Sequence, residues 1–293
     1  MSDVTIQHFH HAGTGTLSYV VSDPTTARAA VIDPVLGFCA VSGRTDRSPL
    51  DEIIGYVRDA SLSLDWILET HAHADHLTGA QILQSELGGK IGIGAGIRDV
   101  QAHFAGVFNL QAPFAADGSQ FDRLFEDGDA FAIGGIEARV LATPGHTNDS
   151  ITYVMADAAF IGDTLFMPDV GTARCDFPGG DAALLYDSIH KILALPESTR
   201  LHVCHDYPPT GQDGEPLRPM RFEVSVAEQK RDNIHVGGSV TRQDYVAMRE
   251  ARDRTLGLPA LIIPSIQVNV RAGSVPAPDD NGVSYLRTPV DLL

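Results

Sequence analysis

Through the first third of the chain, apolar residues come in short runs with the periods of strands interleaved with amphipathic helices. Thr16 to Val21 and Ala29 to Ile32 are β-rich runs on either side of the turn-forming Ser22-Asp23-Pro24, and they predict a hairpin. A helix follows. Ser48 is the expected N-cap, with Pro49 in the first turn and Asp51 three residues past the cap, while Leu50, Ile53, Ile54 and Val57 recur at i, i+3, i+4 and i+7. Trp66 to Glu69 reads as a short buried strand running straight into Thr70-His71-Ala72-His73-Ala74-Asp75-His76, which places that polar cluster at a strand's carboxyl end.

Thr78 to Leu87 is helical in pattern and stops at Gly88-Gly89, and Lys90 to Ile93 is the next strand. Phe131 to Ile133 and Ile136 to Ala142 flank Gly134-Gly135, a strong hairpin signal, and lead to Thr143-Pro144-Gly145-His146. Strands at Ile151 to Met155 and Ala159 to Ile161 deliver the chain to Gly162-Asp163. A helix from Asp181 to about Leu195 precedes a strand over Arg200 to Val203, which ends at Cys204-His205-Asp206. Four strands therefore end in loops carrying His or Asp, the usual way a rigid scaffold presents functional groups. Beyond Pro208 the character changes. Thr210 to Pro219 is a Gly/Pro-rich connector, Thr241 to about Leu256 is a helix capped by Thr241 and Asp244, and the end, with five prolines from Pro259 to Pro289, reads as irregular. The division expected is a catalytic core over 1–212 and an extension over 213–293 packed on it.

Composition removes several classes of function. A formal net charge of −17 disfavours a nucleic-acid partner, since that polyanion is bound by Lys and Arg. Three cysteines, Cys39, Cys175 and Cys204, are an odd number without C-x-x-C spacing, so neither a disulfide scaffold nor a cysteine zinc site is indicated, and buried packing is expected for each. The first residues lack the basic start and apolar run of a signal peptide, and no stretch approaches a membrane span, so a cytoplasmic location is expected. A symmetric homodimer is the base-rate expectation for assembly.

The twelve histidines change the picture, because several cluster at metal-ligand spacing. His-x-His-x-Asp-His packs four potential ligands into six residues, and three more, His146, Asp163 and His205, stand at later strand ends. Neutral imidazole suits zinc and iron, and carboxylates can bridge two ions, whereas calcium or magnesium would call for oxygen ligands.

In the order Thr-His-Ala-His-Ala-Asp-His, Pro-Gly-His-Thr, Gly-Asp and His-Asp over residues 71 to 206, the chain resembles the metallo-β-lactamase superfamily. The resemblance implies an α/β (α+β) fold: an αββα sandwich of two mixed β-sheets flanked by helices, with the metal at one edge. Two arrangements are open. In a dinuclear site similar to glyoxalase II, His71, His73 and His146 would bind one metal, Asp75, His76 and His205 the other, and Asp163 would bridge. Two zinc ions per chain would then serve hydrolysis of thioesters or lactones. In a mononuclear site only His71, His146 and Asp163 bind one Fe(II) per chain, a two-histidine, one-carboxylate face with open positions.

The second arrangement is favoured by the wording around the ligands. The segments ILETHAHADHLTGA, Ala173-Arg174-Cys175-Asp176-Phe177, DAALLYDSIHKILALP and His205-Asp206-Tyr207 resemble the persulfide dioxygenase branch and the bacterial β-lactamase-hydrolase-like proteins, over roughly residues 15 to 210. The implied reaction is oxidation of glutathione persulfide, or a similar low-molecular-weight persulfide, by O2 to sulfite and thiol. His73, Asp75, His76 and His205 would then surround the ligands, with Asp75, His205 and Tyr207 as catalytic candidates. The family's frequent Cys-Gly before the arginine is Thr172-Ala173 here. A noncatalytic metal or sulfur sensor is the third possibility, disfavoured by the completeness of the ligand set.

For the substrate the expected contacts are Arg174, whose planar guanidinium matches a carboxylate, and Tyr207. The competing role for Arg174 is a structural bridge to Asp176. Cys175 lacks a basic neighbour that would make it a reactive persulfide acceptor. The long stretch from His103 to Asp122 is either a lid over the site or a packed surface loop.

Overall fold

The computed structural model describes residues 4–110 and 112–292. Two six-stranded sheets lie face to face. The first joins β1 (Thr5–His11), β2 (Thr16–Asp23), β3 (Arg28–Ile32), β6 (Ser63–Leu68), β8 (Lys90–Gly94) and β9 (Arg123–Phe125), in that spatial order. β1, β2 and β3 are antiparallel, and β3, β6, β8 and β9 run parallel. The second joins β10 (Ala130–Ile133), β11 (Ile136–Ala142), β12 (Ile151–Met155), β13 (Ala158–Phe160), β14 (Arg200–His202) and β15 (Glu223–Ser225), with β13 and β14 as its parallel pair. A small sheet of β4 (Val35–Cys39), β5 (Arg44–Asp46) and β7 (Leu77–Thr78) stands beside the metal-facing edge.

The period-two geometry of strands explains why the central runs are apolar on both faces. In the first sheet Tyr19, Val21, Ala30, Ile32, Trp66 and Leu68 point to the other sheet. The alternating Val20, Ala29, Val31 and Ile67 pack instead under α1 (Ser48–Asp59), α2 (Ala80–Leu87), α3 (Ile97–Val107) and α7 (Ile262–Asn269). α4 (Ala182–Leu193), α5 (Val226–Asp232) and α6 (Arg242–Asp253) pack on the second sheet through residues such as Leu185, Val226 and Tyr245. The layering is the αββα sandwich that the motifs imply. Among the described residues no helix is long and apolar enough to cross a membrane.

Local departures from expectation have simple causes. α1 starts at Ser48 rather than after it, because Asp46 takes the capping role: its carboxylate accepts from the Ser48 amide at 2.9 Å and from the Ser48 hydroxyl at 2.8 Å. Thr78 belongs to β7, and its hydroxyl accepts from Ala80 N at 3.1 Å, so α2 begins two residues later than its pattern indicates. Cys39 is exposed, against the burial expected of it, whereas Cys175 and Cys204 are buried. The stretch after His103 completes α3 and sends Phe104, Phe108 and Phe121 into the outer core of the first sheet. The Pro-containing end is not all irregular, since Ile262 to Asn269 forms a buried helix.

Candidate metal centre

The candidate ligands sit where β6, β11, β13 and β14 end, on four neighbouring loops at one edge of the sandwich. Leu17 N donates to Cys204 O at 2.7 Å, tying the loop after β14 to the start of β2 across the two sheets. Gly162, just before Asp163, has φ +51°, and a Cβ there would approach the Thr70 hydroxyl to 2.7 Å. That position therefore needs glycine, because Thr70 is part of the scaffold that orients His71.

His71, His146 and Asp163 each offer a ligand atom, all within 4.8 Å of one another. His146 Nε2 is 3.7 Å and His71 Nε2 4.0 Å from Asp163 Oδ2. Each ring is oriented from behind. Thr70 Oγ1 donates to Asp33 at 2.9 Å and lies 3.1 Å from His71 Nδ1, leaving His71 Nε2 to face the centre. His146 Nδ1 donates to Arg174 O at 2.7 Å. The same device serves the other rings. His205 Nδ1 donates to Gly15 O at 3.1 Å, and His73 Nε2 donates to Asp33 Oδ1 at 3.0 Å. His76 Nδ1 lies 3.2 Å from Asp75 Oδ2. Backbone carbonyls and carboxylates in these positions fix the tautomer and direct the remaining lone pair inward.

Those inward atoms are orphans. His71 Nε2, His73 Nδ1, His76 Nε2, His205 Nε2 and Asp163 Oδ1 are buried without a hydrogen-bond partner. Such clustering is costly unless something else satisfies the atoms. Burial, reinforced by neighbouring imidazoles, drives the pKa of His71 and His73 well below the ordinary histidine range, so both rings are neutral and able to donate a lone pair. The donor set fits a transition metal.

Three acidic residues that the motifs do not reveal complete the scaffold. Asp33, at the end of β3, also accepts from Thr70 N at 2.7 Å, and Asp149 accepts from Ala72 N at 2.7 Å. Glu69 accepts from the Thr78 hydroxyl and has its other oxygen 3.7 Å from His73 Nε2. Burial raises the carboxyl pKa of all three. A strand ending in an acid, as Val31-Ile32-Asp33 does, is the sequence signal that could have flagged the first of them.

Asp75, His146, Asp163 and His205 open onto a cavity of about 320 Å³, and Tyr207 and Arg174 line it too. Asp75 Oδ2 is 3.3 Å from His205 Nε2, and the half-exposed Tyr207 ring stacks on His205 at 5.6 Å. Arg174 is fully engaged: its guanidinium grips Asp176 through two 2.6 Å bonds and donates to Gly257 O at 2.7 Å. The bridge to Asp176 is thus the role its geometry fills. Burial and Asp253 push the Cys175 thiol up to about 12, which holds it as an unreactive thiol. Among the described residues of the 103–122 stretch none lines this cavity, so that part does not cover the site; several of them border a separate cavity of about 500 Å³ with the C-terminal segment. The opposite wall comes from α6 and the residues after it: Arg249, Arg252, Leu256 and Pro259.

An αββα sandwich with this ligand edge defines a metallo-β-lactamase-fold enzyme. The superfamily's sequence profile matches residues 11–205, and the chain belongs to the metallo-β-lactamase superfamily. It is 48% identical to a Burkholderia pseudomallei protein named "probable metallo-hydrolase", over 99% of this chain and all of that one. It is 50% identical to a β-lactamase hydrolase-like protein of Agrobacterium fabrum, over 98% of its own length but only 65% of that protein's. The human persulfide dioxygenase ETHE1 is 32% identical over 74% of this chain and 69% of its own. Among solved structures, ETHE1 from Myxococcus xanthus superposes with a TM-score of 0.72 at 28% identity, covering 92% of this chain and all of that one.

Proposed function

We propose that this enzyme is an iron-dependent persulfide dioxygenase, converting a low-molecular-weight persulfide, O2 and water to a thiol, sulfite and two protons. The terminal sulfur is oxidised, dioxygen is reduced, and the sulfur–sulfur bond breaks. The observation that carries this reading is the compact His71, His146 and Asp163 group beside a cavity of small-molecule size. Likeness to the ETHE1 persulfide dioxygenases over two thirds and more of their length supports it. Iron(II) held by those three residues supplies one-electron reactivity toward dioxygen, which closed-shell zinc lacks.

The chain's own residues do the rest. Thr70, Asp33 and the Arg174 carbonyl hold the ligand rings in place. Asp75 and His205, paired at 3.3 Å on the cavity wall, can orient the substrate sulfur and hold a proton beside it. Tyr207 and Phe177 narrow the cavity and limit water around the sulfur.

One observation favours a second reading, a dinuclear zinc hydrolase of thioesters or lactones. His73 Nδ1, His76 Nε2 and His205 Nε2 are as unpartnered as His71 Nε2, and with Asp75 they could hold a second ion. Elemental analysis separates the two. Protein purified anaerobically is expected to hold about one iron per chain. Two tightly bound zinc ions, with no activity gained on adding Fe(II), would move the hydrolase into first place.

A further inference from the structure

Three arginines line the cavity beside the candidate ligands, and two are already committed. Arg174 holds Asp176 and Gly257 O, as described. Arg249 is buried against Asp253 and donates to Thr172 O at 3.1 Å. Arg252 differs. It stands exposed in the last turn of α6. Among the described residues its guanidinium makes no hydrogen bond or ion pair. Burial, then the positive charges of Arg249 and Arg252, lower the pKa of His235 to about 4.

Of the three arginines that line the cavity, Arg252 is the one without a carboxylate partner among the described residues. The cavity floor carries Asp75 and Asp163, so a free positive fork on the wall is what an entering anion would meet as its complement. We infer that Arg252 is the substrate-specificity residue of this site, receiving a carboxylate of the thiol carrier when a persulfide enters. This rests on the persulfide reading of the cavity. A fork that is free in the resting protein can bind a carboxylate in two parallel contacts without first breaking an internal pair, which is the advantage Arg252 has over Arg174 and Arg249. A cation in the last turn also favours the helix dipole, so a purely structural role is the alternative to be separated.

The test compares glutathione persulfide with its diethyl ester, whose carboxylates are blocked, on iron-loaded enzyme. Arg252→Ala is expected to raise KM for the free acid by roughly ten- to hundredfold and to lower the preference for free acid over ester by the same factor. Arg252→Lys, which keeps the charge but loses the fork, recovers part of it. An equal penalty on both substrates, or none on either, overturns the inference. Calorimetric titration with glutathione and its diester reads the same contact without turnover. Weaker binding of the free acid alone by Arg252→Ala supports the assignment, and equal binding by wild type and variant removes it. This holds even where a failure to consume oxygen with any persulfide had sunk the parent reading.

Discussion

The ligand loops are supported by C-terminal helices, α6 across the cavity and α7 hydrogen-bonded to the loop after β6, and the two regions are held by different physics. On the ligand side, buried imidazoles are each pinned from behind by a carbonyl, hydroxyl or carboxylate, so inward atoms are left without partners and the site stores an unmet demand for a cation. On the C-terminal side, polar side chains reach back to the loops and are satisfied by them. Arg249 donates to Thr172 O while paired with Asp253, which in turn accepts from Cys175 N at 2.9 Å. Asn269 of α7 donates to His73 O at 2.7 Å and His76 O at 2.8 Å and accepts from Thr78 N at 2.9 Å. One side is built to bind an ion, and the other to fix the loop that binds it.

Breaking the ligand side should have the largest effect. His71→Ala, His146→Ala and Asp163→Ala are expected to lose iron and at least about a thousandfold of activity, whereas His73→Ala, His76→Ala and His205→Ala keep most of the iron and lose roughly ten- to hundredfold. Iron analysis beside turnover checks this. Equal metal loss across both sets would show that the orphaned atoms of His73, His76 and His205 are ligands too.

On the other side, Asn269→Ala leaves two carbonyls and an amide of the metal loop buried without partners. Each costs on the order of 1–3 kcal/mol, less whatever water can recover. Thermal unfolding of metal-free protein should show the loss, and iron affinity should fall with it because the loop backbone is no longer fixed. A variant as stable as wild type with unchanged iron binding would mean that α7 merely covers the loop.

A smaller, pH-dependent effect lies far from the cavity, where the turns of the two sheets meet. Hydrogen bonds from the Thr26 hydroxyl and from the Gly135 and Thr25 amides lower the pKa of Asp23 from 3.8 to about 2. A depressed folded-state pKa gives stabilisation that is complete above the unfolded value and is lost as pH falls through about 2. Asp23→Asn should therefore be less stable than wild type near neutral pH, with the difference vanishing at about pH 2. A difference that persists in acid would assign the contact to packing rather than charge.

The contrast between the two sides also decides what was legible in the sequence. Every ligand loop follows a strand whose own apolar run marks its end, so the strand ends ahead of His71, His146, Asp163 and His205 could be placed to within about one residue. Local spacing carries that information. The support from the C-terminal helices depends on contacts between residues about 70 to 200 positions apart, such as Asn269 to His73 and Arg249 to Thr172, which no local period encodes. α7 escaped notice because Pro264 interrupts an apolar run too short to show helical periodicity. Arg174 was singled out for its neighbourhood to the ligands, yet its partner Asp176 lies two residues on and takes up the fork. Arg252, on a helix placed correctly in sequence, gave no sign of facing the cavity.

The central claim is the reaction, and its most direct measurement is stoichiometric. Enzyme reconstituted with Fe(II) and given glutathione persulfide in a closed oxygen cell should consume about one O2 for each sulfite formed, from three ligands holding one iron. Zinc-loaded protein should consume none. Sulfite formation without oxygen uptake, or thioester hydrolysis by the zinc form alongside inert iron enzyme, would contradict the account.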